Sequence, residues 1–97
     1  MKNGFPFPES PSLGVWTTRG IADGAESILL VSHEDDGDWQ FLPGTPVDLE
    51  DGVAVHLEHI VHRHPEVREL GNLPRGWAAE RDGVSDPWKR FPLDDDS

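Results

Sequence analysis

The chain has 97 residues and a mass of 10.8 kDa, enough for one domain, since natural domains run ~50–250 residues. Eight Lys and Arg stand against nineteen Asp and Glu, giving a formal net charge of −11 and a pI near 4.6, a balance that argues against direct binding to nucleic-acid phosphates, which needs clustered positive charge. The lack of Cys excludes a disulfide scaffold, a thiolate nucleophile and a cysteine metal site, so the apolar core alone must hold the fold.

Residues 1–12 combine Pro6, Pro8 and Pro11 with Gly4, a mix that blocks helix and sheet ladders and predicts a flexible N-terminal arm. Its Phe5 and Phe7 are the residues able to dock it on the body, because chain ends order only where apolar groups tie them down. The start Met1–Pro8 lacks the apolar stretch of a secretory signal, and no apolar run approaches ~20 residues, so a soluble, cytoplasmic protein without a membrane segment is expected.

The folded domain is expected over 13–92. Val15-Trp16-Thr17-Thr18 and Ser27-Ile28-Leu29-Leu30-Val31-Ser32 read as strands by β-branched and aromatic content. Gly20 to Glu26 joins them, with a turn at Asp23-Gly24. His33-Glu34-Asp35-Asp36-Gly37-Asp38 is a polar turn leading into a third strand, Trp39-Gln40-Phe41-Leu42, and these last two strands form a hairpin. Pro43-Gly44-Thr45-Pro46 stops that strand, and Asp48 to Gly52 is an acidic loop. From Val53 to Arg63, steps of 100° place Val53, Leu57, Ile60 and Val61 on one arc, which predicts the main helix. Pro65 ends it and suits the first turn of a second short helix through Leu70, with Gly71 and Asn72 as stop signals. Trp77 to Arg81 and Trp88 to Phe91 complete the strands, and 93–97 is an acidic tail. The expected fold is α+β: a mainly antiparallel sheet of about five strands in the order β-β-β-α-α-β-β, with one main helix packed on one face.

Four of the five histidines fall at His56, His59, His62 and His64, and imidazole is the commonest metal ligand. His56, His59 and His62 are the metal candidates, yet one straight helix cannot converge three such residues on one ion, and all three lie off the apolar arc where solvated residues belong. His64, at the break before Pro65, suits capping or packing. Asp35, Asp36 and Asp38 around Gly37 suggest a calcium loop, but position twelve counted from Asp35 or Asp36 is Pro46 or Val47 instead of the required Glu. A hairpin turn is the simpler reading. Neither a nucleophile elbow nor a phosphate-cradling Gly loop nor HExxH occurs, so no catalytic residue and no cofactor is expected. Trp16, Trp39, Trp77 and Trp88 all fall on expected strands. Core is their default place, but a sheet covered on one face leaves room for an exposed Trp as a binding anchor.

The run from Ile28 to Leu42 with its Trp39-Gln40-Phe41, then His64-Pro65, then Leu73-Pro74-Arg75-Gly76-Trp77-Ala78-Ala79-Glu80-Arg81 and Pro87-Trp88, resembles a family of small acidic bacterial proteins of unknown function. That family is grouped with candidate immunity proteins of polymorphic toxin systems. The likeness covers about residues 13–92 and rests on the glycine-to-WQF turn and strand together with the LPxGWxAxR segment. Relatives often carry Cys near the positions of Trp16, Arg19 and Pro43 and Asp-Pro in place of His64-Pro65, so any metal or redox role of those cysteines is lost here. The resemblance implies a non-enzymatic binding protein that neutralises a co-produced toxin, and it offers no catalytic residues to carry over.

The leading expectation is therefore a protein-binding module, an immunity-like inhibitor whose acidic surface steers it to a basic toxin. Its binding candidates are Asp35, Asp36 and Asp38 in the turn, Glu50 and Asp51 before the helix, and an exposed Trp, either Trp39 or Trp88. Monomer or weak dimer is expected, with a protein partner. The alternatives are a metal-binding protein using His56, His59 and His62, and a housekeeping domain unrelated to toxins.

Overall fold

A computed structural model describes residues 5–93, so the first four residues of the arm and the acidic end 94–97 lie outside the described residues. The elements run β1 (Gly14–Thr18), α1 (Arg19–Asp23), β2 (Leu30–His33), β3 (Trp39–Leu42), β4 (Gly52–His56), α2 (Leu57–Arg63), β5 (Trp77–Glu80) and β6 (Lys89–Pro92). A 3-10 turn, Leu49–Asp51, precedes β4, and a 3-10 helix, Pro65–Leu70, follows α2. The six strands form one sheet in the order β4-β1-β3-β2-β5-β6. All neighbours are antiparallel except β1 and β3, which run parallel with Trp16 beside Gln40. The fold is α+β, as expected, with the β2–β3 hairpin in place.

Register fixes what each face carries, because paired residues point to the same side and side chains alternate along a strand. Ala54, Trp16, Gln40, Ser32, Ala78 and Phe91 form one row across the sheet. The opposite face holds Val15, Val31, Trp39, Phe41 and Ala79, which share the buried cluster with Ile21 of α1, Leu57, Ile60 and Val61 of α2, and Val67 and Leu70 of the 3-10 helix. The helices thus cover a single face. Among the described residues the only helical turn against the Trp16 row is Leu49–Asp51, at its edge.

The single parallel pairing is reinforced by a side chain. Thr17 Oγ1 donates to Phe41 O at 2.7 Å in the buried layer between β1 and β3. Thr17→Val keeps the shape and removes the donor, and a net buried hydrogen bond is worth about 1 kcal/mol. A urea midpoint lowered by that amount at unchanged slope is the expected result; an unaltered midpoint would show that the strand ladder suffices.

The expected helix from Val53 is corrected at its start: Val53 to His56 belong to β4, paired residue by residue with β1 from Gly14↔His56 to Thr18↔Gly52. Val53 and Val55 are β-branched and half-buried while Ala54 and His56 are exposed, which is the two-residue period of a strand. The helical arc survives only in Leu57, Ile60 and Val61, spaced i, i+3, i+4 and all buried. Pro65 ends it as expected, with His64 at φ −129°, ψ 73°. One short helix lies where only a connection was expected. Thr18 caps α1 by accepting from Ile21 N at 3.2 Å, and Gly24 closes it at φ 87°, the left-handed position that favours glycine.

Over the part described, the arm lies on the body through the two phenylalanines named for docking. Phe7 is buried in the core cluster, edge-on to Trp39 with ring centroids 5.0 Å apart, and Phe5 packs against the same cluster. Gly71 lies against the Pro6 carbonyl, where a side chain at position 71 would collide.

Candidate protein-binding surface

The five histidines divide by what their rings bond. His64 Nε2 donates to Ile21 O at 2.7 Å, a carbonyl that also accepts from Gly24 N at 3.0 Å, and His59 Nε2 donates to Ala22 O at 2.8 Å, so both rings bond carbonyls of the last turn of α1. His64 therefore packs and caps, as its place before Pro65 suggested. His33 Nδ1 donates to Leu73 O at 2.7 Å, and its ring stacks on Trp39 with centroids 4.0 Å apart. His56 stands exposed at the end of β4, 3.9 Å from Glu58, and His62 is exposed on α2. His56, His59 and His62 line one cleft of about 570 Å3, but His56 leaves the helix that was to align them. Among the described residues no three His, Asp or Glu side chains are placed to hold a metal ion.

The tryptophans sort differently from expectation. Trp39 cannot be an exposed anchor: it is 1 % exposed, between Phe7, His33 and Phe41. Its position in β3 has the parity of Phe41, which places it under the helices. Trp88 is also engaged, packed on the core cluster with the Arg81 guanidinium 4.4 Å above its ring. The indole that faces away from the helices is Trp16, which the sequence placed on a strand without distinguishing its face. It lies across Gly52, where an added Cβ would strike the six-membered ring, so the glycine is what lets the indole lie flat over β4.

Beside Trp16 is a cleft of about 590 Å3 whose lining includes Gln40, Ala54, Asp38 and Leu49. Leu49 is 85 % exposed, an unusual place for a large apolar residue flanked by Asp48, Glu50 and Asp51. Two acidic segments thus contribute to one cleft: the β2–β3 turn supplies Asp38 and the 3-10 turn supplies Leu49, while Asp48 and Asp51 line a second cleft with Thr18 and Arg19. Asp36 Oδ1 accepts from Asp38 N at 3.1 Å, and Gly37 at φ 97° closes the turn, leaving Asp35, Asp36 and Asp38 exposed. The Arg19 guanidinium donates to Glu50 O at 3.3 Å and ties the 3-10 turn back to α1. Glu50 and Asp51 are exposed beside it. An exposed leucine set among acidic sequence neighbours thus borders the cleft that holds Trp16 and Asp38.

No helix among the described residues is long and apolar enough to cross a membrane. No protein-family model, curated protein or solved structure matches this chain.

Proposed function

We propose that this protein is a non-enzymatic binding module that occupies a basic protein partner, in the manner of an immunity protein against a toxin. The observation that carries the reading is the cleft that brings exposed Leu49, flanked in sequence by acids, together with half-buried Trp16 and Asp38. A net charge of −11 speeds encounter with a positive surface, and the apolar centre slows release. The resemblance to small acidic immunity-like proteins points to the same class of partner.

Copurification of tagged protein from its native host at low salt, eluted with rising salt, is expected to yield a basic protein at near 1:1 stoichiometry. Stopped-flow association with that partner should slow about tenfold when Asp35, Asp36 and Asp38 are reversed to Lys, with a flatter salt dependence. Leu49→Ser should instead speed dissociation. Recovery of the domain alone from cells that express a neighbouring toxin candidate would remove the immunity reading, and unchanged on-rates would remove the turn from the interface.

A further inference from the structure

We propose that the free edge of β4 receives an extended basic segment of the partner protein as an added strand. This rests on the reading as a protein-binding module and narrows it to a main-chain mode of recognition. The sheet has two edges, and they are built differently. β6 carries Lys89, Arg90 and Pro92, the charges and proline with which proteins discourage edge pairing. β4 is Gly-Val-Ala-Val-His, pairs with β1 alone among the described residues, and carries neither a formal charge nor a proline. Nothing in its sequence protects it; the Gly52 N–H is bonded to Leu49 O, and the remaining outward N–H and C=O groups of the strand are a template for another chain.

Recognition by strand addition needs pockets for alternate side chains as well as backbone bonds, because residues of an added strand point in turn to the two faces. Two clefts lie beside β4. On the face opposite the helices is the Trp16 and Leu49 cleft of about 590 Å3, which Ala54 lines. At the His56 end of the strand Ala54, Val55, His56 and His59 border a cleft of about 300 Å3, next to the larger one that shares His56 and His59.

The charge around the strand selects the occupant. Asp48, Glu50 and Asp51 precede β4 and Glu58 follows it, all exposed. An incoming segment with an apolar centre and Lys or Arg at its ends matches that pattern. A second copy of this chain does not: antiparallel pairing of two β4 strands sets Asp51 of each near Glu58 of the other, and like charges so placed repel.

The test uses the whole protein and a synthetic probe, Lys-Arg-Val-Thr-Val-Thr-Val-Arg-Lys, with two controls: the same peptide ended in Glu, and the basic peptide N-methylated at alternate Val. The basic peptide should bind and slow amide exchange across Gly52–His56. Glu ends should weaken binding about tenfold or more, and N-methylation should abolish it by removing main-chain donors. Leu49→Ser, at a side chain too exposed to matter for folding, should weaken binding severalfold. Binding that survives N-methylation and leaves β4 exchange unchanged overturns strand addition but leaves the protein-binding reading intact. Absence of binding at about 1 mM overturns it too, while that reading stands or falls on copurification. Self-association of the free protein with these same amides protected overturns the partner assignment and gives the edge to a second copy.

Discussion

Phe7→Ala should lower the unfolding free energy by about 3 kcal/mol, since truncating a buried Phe typically costs ~3–5 kcal/mol, against a total of only ~5–15 kcal/mol for a domain. The ring is 4 % exposed, meets Trp39 edge-on at 5.0 Å and belongs to the central cluster. Two further close approaches lie along the same stretch of chain. Glu9 Oε2 lies 3.5 Å from His33 Nε2 on the far side of the imidazole that donates to Leu73 O. The Pro6 carbonyl closes on Gly71, so Gly71→Ala should lift the arm from the other side. Because both substitutions break one docking event, their costs should fall short of adding in a double-mutant cycle. Urea unfolding followed by Trp emission reads both quantities, and Trp39 should shift to the red if the arm peels away. A loss under about 1 kcal/mol for Phe7→Ala would mean that the arm contributes little and that residues 13–92 stand alone.

The sequence was legible where local chemistry and tertiary packing agree. The polar turn around Gly37 and the Trp39–Leu42 strand were readable from turn residues and alternation, and the structure pairs them as a hairpin. Pro65 marked the end of α2 because it restricts His64 whatever the surroundings. The strand Gly52–His56 was hidden by coincidence: seven residues separate Val53 from Ile60, close to two helical turns, so the strand's valine fell on the helical arc. Pairing with β1 outweighs that local pattern. The helix Arg19–Asp23 is too short to show a period, yet its Thr18 cap and Gly24 stop were both present in the sequence. The sequence named Phe5 and Phe7 as able to dock the arm but not that they do, because proline content speaks to backbone ladders and not to whether a single Phe finds a socket. For the binding surface, the acidic residues of both segments were visible as charge. The meeting of Asp38 and Leu49 at Trp16 was not, because it depends on which face of β1 the helices cover. Leu49 carried one usable signal, a large apolar residue inside an acidic run.

Arg81→Met should cost about 3 kcal/mol, although its side chain keeps the length and apolar stem of arginine. The guanidinium is a hub. Nε and Nη2 donate to Ile28 O at 3.0 and 2.8 Å, Nη1 donates to Val84 O at 3.2 Å, and Nη2 pairs with Glu66 at 3.1 Å. It also covers Trp88. Replacing a whole buried ion pair by apolar residues is often neutral, and if the Glu66 pair were its only role, Arg81→Met with Glu66→Gln would restore stability. Two carbonyls argue otherwise. Buried Ile28 O would lose both of its bonds from Arg81, at ~1–3 kcal/mol for a buried polar group left unmet, Val84 O would lose its bond in a more exposed place, and the second substitution supplies nothing to either. Arg81→Lys should recover part of the loss and no more, because one ammonium cannot reproduce a planar fork spread over three acceptors. Chemical denaturation of the three variants ranks them, with near-UV circular dichroism reporting Trp88. Full recovery in the double variant would reduce Arg81 to the partner of Glu66. Persistence of the deficit would make it the residue that closes the β5–β6 connection onto the segment leading into β2.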